Sequence, residues 1–112
     1  MTETITFDDF LKVDIRVGRI IAAEPFPQAR RPTYKLRIDF GPLGVKRSTA
    51  QLTNRYTPDQ LVGRLIIAVV NFPPKQVANA ISDVLVLGAV PAPGDVALLG
   101  VDGEVEVGTR VA

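Results

Sequence analysis

Cysteine, histidine and tryptophan are absent from this chain, and a single methionine stands at its start. Without cysteine there is no disulfide, no thiolate nucleophile and no sulfur ligand for a metal. Without histidine there is no imidazole ligand and no Ser-His or Cys-His pair, and the carboxylates follow no metal-loop spacing. These gaps remove the usual means of catalysis, so neither an enzyme nor a metal or cofactor site is expected. Long apolar runs are also missing: no stretch approaches the roughly 20 residues that a helix needs to cross a bilayer. The opening MTETITFDDF is acidic and has no basic segment before an apolar one, so it does not read as a secretory signal. No membrane insertion and a cytoplasmic location are expected.

What is present is a chain of 112 residues, 46% hydrophobic and 22% charged, which fits one domain over 1–112 with one hydrophobic core. The net charge of +1 hides an asymmetry. Ten basic residues lie from Arg16 through Arg64 against three acidic ones, Glu24, Asp39 and Asp59. If this middle forms one face, that face is positive, whereas an ordinary solvated surface would scatter the same charges.

Glycine and proline divide the chain into short strands. A brief helix is expected over Asp8 to Val13, capped by Thr6 or Asp8, with Phe7, Phe10 and Leu11 on one face. DIRVGRIIAA reads as a long strand, and the glycine inside it, Gly18, is expected at a bulge or bend. YKLRIDF alternates cleanly, with Tyr34, Leu36, Ile38 and Phe40 inward against Lys35, Arg37 and Asp39. After GPLG, VKRSTAQL forms the second arm of a hairpin. Only one of Lys46 and Arg47 then shares a face with Lys35 and Arg37, and the register decides which. Thr57, Pro58 and Gly63 mark the start and end of a short helix. RLIIAVVN comes next as a strand, KQVANAIS as a helical turn or ordered loop, and DVLVLGA and VALLGV as late strands around PAPGD. Five or six strands with little helix predict an all-β fold, a small closed or partly open barrel.

The set DIRVGRI, YKLRIDFG, STAQ, VVNFPPK, SDVLVLGA and GDVALL resembles, in that order and over nearly the whole chain, the CsaA family. These are small bacterial proteins described as secretion-related chaperones and built on the tRNA-binding domain, which also occurs with methionyl-tRNA synthetases and in the phenylalanyl-tRNA synthetase β chain. The resemblance implies a five-stranded OB-fold barrel, a homodimer, and non-catalytic binding of unfolded or secretory polypeptides or of tRNA. In the wider domain a loop implicated in RNA contact carries Asn, a Lys-Pro pair and later Ser followed by Met. Asn71, Pro74 and Ser82 match, Leu85 stands near the Met position, and Lys75 is followed by Gln76 where many relatives have two basic residues.

Two ligand classes compete for the same residues. Single-stranded or folded RNA needs cations at phosphate spacing and aromatic platforms. Arg30, Arg31, Lys35, Arg37, Lys46, Arg47, Arg55 and Lys75 are the candidate cations, with Tyr56 and Phe72 the candidate exposed rings. A polypeptide needs an apolar groove rimmed by hydrogen-bonding groups. Phe72, Pro73, Val77 and Ile81 are candidates to line it, with Gln51, Asn54, Asn71, Lys75 and Ser82 as polar partners. In NFPPK the two prolines end a buried strand and stiffen the loop at its end, so Phe72 is either a preformed binding edge or a plug in the barrel end. The aliphatic late strands, with the chain ends, are expected to serve dimerisation.

Overall fold

The computed structural model describes residues 2–112. A five-stranded antiparallel sheet, curled into a nearly closed OB-type barrel, runs in the order β3, β2, β1, β4, β7. Its members are β1 (Ile15–Pro25), β2 (Tyr34–Asp39), β3 (Val45–Ala50), β4 (Leu65–Val69) and β7 (Leu85–Val86). Two hairpins stand off it: β5 (Lys75–Val77) with β6 (Ala80–Ser82), and β8 (Gly88–Ala92) with β9 (Asp95–Leu98).

The alternation in YKLRIDF is realised: Tyr34, Leu36, Ile38 and Phe40 are buried and Arg37 is exposed. They join Ile20, Leu52, Ile66, Ala68 and Val84 in one core, and Leu61 from the helix α2 (Pro58–Leu61) completes it with no exposed surface. Thr57 caps α2, its backbone N–H donating to Gln60 Oε1 at 2.9 Å, and Gly63 lies beyond the end at φ +91°.

β1 changes partners along its length. Its first half pairs with β4 and its second with β2, and Arg19 belongs to both ladders. The irregularity that permits this lies between Ile20 and Ala22, not at Gly18. Gly18 serves a different need. A Cβ there would lie 2.6 Å from Ile38 Cγ2 and from Phe40 Cε1, so the missing side chain is what lets the core close over β1. Along the first half of β1 the C-terminal segment adds a few bonds, Val17 N–H to Thr109 O at 2.9 Å and Val111 N–H to Ile15 O at 2.8 Å.

Two further expectations are revised. The N-terminal helix α1 spans Phe7–Leu11, capped by Thr6 through reciprocal bonds with Asp9. Its ring Phe7 is 70% exposed and Leu11 is exposed too, so the apolar face packs on no core here. KQVANAIS is neither helix nor loop but the β5–β6 hairpin, turned by Ala78 at φ +51°.

Candidate functional site

The strand β4 ends at Val69, and the next residues show why its continuation is exposed. Asn71 is spent on the chain itself: its Oδ1 accepts from Asp14 N–H at 2.9 Å and its Nδ2 donates to Lys12 O at 2.7 Å. This clamp ties the α1–β1 link to the end of β4, so the Asn71 amide is not offered to a ligand. Phe72 then turns outward and is 53% exposed, which rules out a plug in the barrel end. With Pro73, Val77, Val84 and Leu85 it lines an open groove of about 470 Å³, whose polar edge is Thr49, Ser82, Asp83 and the rim cation Lys75. The prolines fix this wall before any ligand arrives, which lowers the ordering cost of binding.

A second groove, of about 460 Å³, lies on the other side of the β5–β6 hairpin. Lys35, Arg37, Arg47 and Glu24 line it from the barrel, and Asn79 and Ile81 from the hairpin; Thr49 borders both grooves. The register settles which cation belongs here. Arg47 lies opposite Arg37, whereas Lys46 lies opposite the buried Ile38, so Arg47 shares the wet face with Lys35 and Arg37 and Lys46 is turned from it.

Ion pairing separates these cations. The Arg47 guanidinium meets the Asp83 carboxylate in a fork, Nε to Oδ2 at 3.0 Å and Nη2 to Oδ1 at 3.2 Å. The backbone joins in, Arg47 N–H donating to Oδ2 at 3.0 Å and Asp83 N–H to Arg47 O at 2.8 Å. With Ser82 Oγ accepting from Thr49 N–H at 3.2 Å, these bonds fasten β3 to the segment entering β7 and close the barrel. The hydrogen bond from Arg47 holds the Asp83 carboxyl below its ordinary range and raises the guanidinium in turn. Lys35 Nζ pairs with Glu24 at 3.3 Å and lies 5.3 Å from the centre of the Phe26 ring. Arg37, by contrast, forms no ion pair among the described residues.

Comparison with known proteins places this geometry in a family. The model described as "Putative tRNA binding domain" matches residues 15–110. The structure superposes on the CsaA chaperone of Bacillus anthracis with a TM-score of 0.95 at 52% identity, covering 98% of this chain and 100% of that one. The CsaA chaperone protein of Picrophilus torridus gives a TM-score of 0.90 at 54% identity, covering 97% and 100%. The chain belongs to the CsaA family, built on the tRNA-binding domain. It is also 36% identical over 111 residues to the methionine–tRNA ligase of Rhodopirellula baltica, covering 99% of this chain but only 16% of that protein.

On this CsaA-family barrel the residues singled out from sequence fall into separate places. Phe72, Pro73, Lys75, Val77 and Ser82 come together around the apolar groove, while Ile81 faces the basic one. Gln51 and Asn54 lie apart from both, beside Arg31 in a smaller pocket of about 160 Å³. Arg30 is exposed in the β1–β2 loop. Arg55 is paired with Asp95, Nε to Oδ1 at 2.5 Å and Nη2 to Oδ2 at 3.1 Å. Tyr56 is not an open platform. Its ring packs against the core with Arg64 5.1 Å from its centre, its hydroxyl accepts from Leu98 N–H at 3.0 Å, and its carbonyl accepts from Tyr34 Oη at 2.8 Å. Sequence reasoning missed Thr49, Asn79, Asp83 and Val84 as groove residues, and placed Leu85 only near the Met position of the resembling loop. Thr49 can be placed by alternation once the register is known, but nothing in the local sequence announces the Arg47–Asp83 fork across 36 residues.

Proposed function

We propose that this protein is a non-catalytic chaperone that binds unfolded or secretory polypeptides in the apolar groove. The observation that carries this reading is the outward-facing ring of Phe72, held beside Pro73 over an open groove of about 470 Å³. An extended chain of varied sequence can lay apolar side chains against Phe72, Val77, Val84 and Leu85, and its backbone can bond to the Thr49 hydroxyl at the edge, the Ser82 hydroxyl being held by Thr49 N–H and Val84 O. The CsaA proteins with which the chain shares its fold are named as chaperones, which supports the same reading. The experiment is suppression of aggregation of a chemically denatured protein, compared between the unaltered chain and Phe72→Ala. Equal protection by both removes the groove from the account.

A second ligand is favoured by a separate observation, the basic groove in which Arg37 forms no ion pair among the described residues. RNA, tRNA in particular, would lie along β2 and β3 with its phosphates toward Arg37 and, after exchange with their carboxylate partners, Lys35 and Arg47. The tRNA-binding family model spanning residues 15–110 supports this. Work in the cytoplasm is consistent with either ligand. A homodimer belongs to the same proposal. Val90 is 62% exposed on β8, and Leu99, Ile5 and Phe7 leave further apolar surface open to a second copy. Light scattering at micromolar concentration reads this directly, and a monomer mass would remove the assembly.

A further inference from the structure

The small pocket beside Gln51 belongs to neither groove. Three segments far apart in sequence build it: the β1–β2 loop supplies Arg31, the chain leaving β3 supplies Gln51, Thr53 and Asn54, and the β8–β9 turn supplies Gly94. Apart from prolines these are all the side chains around it, and among the described residues none of the lining groups is a carboxylate. Every polar side chain there can donate: a guanidinium, two primary amides and a hydroxyl. Arg31 forms no ion pair among the described residues.

The walls are fixed independently of any ligand. Asp95, the acidic residue next to the turn, is held by the Arg55 fork, which offsets its charge and locks the β8–β9 turn to the chain carrying Asn54. The Tyr56 hydroxyl bonded to Leu98 N–H adds a second tie between the same two segments. At the turn, Gly94 has φ +77°, the left-handed conformation glycine favours, and the turn runs beside Asn54, a Cβ there lying 4.0 Å from its Nδ2.

We infer that this pocket binds a phosphate group of the RNA strand that enters the basic groove, an inference that rests on the RNA reading above. A guanidinium from one segment facing two amides and a hydroxyl from another suits a tetrahedral group with acceptors on every side, whereas one guanidinium fork already satisfies a planar carboxylate. At about 30 Å³ for each water displaced, a volume of about 160 Å³ takes a phosphate with a few waters. The pocket is also close to the groove along the chain. Arg47 and Thr49 line the basic groove, Thr49 bordering the apolar one as well, and Gln51 borders the pocket two residues further along the same segment, a step of roughly 7 Å.

The test has two parts. Inorganic phosphate is titrated into the nitrogen-15-labelled protein, with sodium chloride at matched ionic strength and sodium acetate as controls. Saturable shifts at the amides of Thr53, Asn54 and Gly94 with phosphate, absent with chloride, weaker with acetate and lost in Arg31→Gln and in Asn54→Leu, support the site. No saturable shift, or equal shifts with acetate, overturns it. Separately, tRNA affinity is measured against salt for the unaltered protein, Arg31→Gln and Arg37→Ala. A log-log slope lowered by about 0.7 to 0.9 in Arg31→Gln supports the strand's path into the pocket. An unchanged slope in Arg31→Gln with a lowered one in Arg37→Ala overturns that path and leaves the RNA reading standing. Failure of the unaltered protein to bind tRNA overturns the RNA reading and the path together, and the phosphate titration still decides whether an oxyanion site exists.

Discussion

Removing the Phe72 ring separates a binding edge from a structural one. The ring is 53% exposed, so roughly half of its surface is already buried in the free protein. Full burial of a phenylalanine side chain stabilises by about 1.5–3 kcal/mol, and half of that is about 1 kcal/mol. Phe72→Ala should therefore cost the fold about 1 kcal/mol, a fall in Tm of roughly 4 °C for a chain of this size. The exposed half has a similar amount still to gain when a polypeptide covers it, so affinity for a denatured substrate should fall about fivefold. Thermal unfolding and substrate protection are measured on the same preparation. A stability loss of about 3 kcal/mol or more, the size seen for fully buried rings, would contradict the exposed geometry. A small loss with unchanged protection would refute the groove.

Other perturbations test separate parts of the structure. Arg37→Ala should leave stability nearly unchanged and reduce the salt slope of tRNA binding by about 0.7 to 0.9, measured by filter binding across a salt series. Gly18→Ala should destabilise by about 1–3 kcal/mol or more, because its Cβ would overlap Ile38 and Phe40, and calorimetry would show a lowered Tm. Asp83 has its pKa lowered in the folded state, chiefly by the hydrogen bond from Arg47, so its contribution is present above the ordinary carboxylate pKa and is lost as pH falls through and below about 4. Asp83→Asn should remove that acid-dependent part, leaving a flatter stability profile between about pH 5 and pH 2 in denaturant titrations; an unaltered profile would place the fork outside the energetics of closure.

The inward residues of β2 were legible because period-two alternation maps directly onto the two faces of a half-buried strand. The α2 cap was legible for a similar reason, since Thr57, Pro58 and Gly63 act on their own neighbours. Gly18 shows the limit. An interior glycine fits a bulge and a close approach equally well, and only the position of Ile38 and Phe40 across the sheet selects the second. KQVANAIS failed for want of a turn signal, since the positive φ falls on Ala78 rather than on a glycine or asparagine.

The candidate site divided along the same line. The prolines left Phe72 as either an edge or a plug, and only the folded chain selects the exposed edge; the use of Asn71 as a clamp likewise depends on Lys12 and Asp14, 59 and 57 residues away. The basic middle overstated the free charge, because Glu24, Asp83 and Asp95 reach Lys35, Arg47 and Arg55 through the fold. One set of candidates became three places, two grooves parted by the β5–β6 hairpin and a polar pocket beyond them, because the residues alternate across strands and loops whose pairing only the folded chain sets.

Backbone amide mapping with a permanently unfolded polypeptide tests the central claim most directly. Titrated into the nitrogen-15-labelled protein, the polypeptide should shift the amides of Thr49, Phe72, Val77, Ser82, Val84 and Leu85 and leave those of Arg37 and Asn54 in place. Shifts confined to β2 and the β1–β2 loop, or none at any concentration that suppresses aggregation, would contradict it.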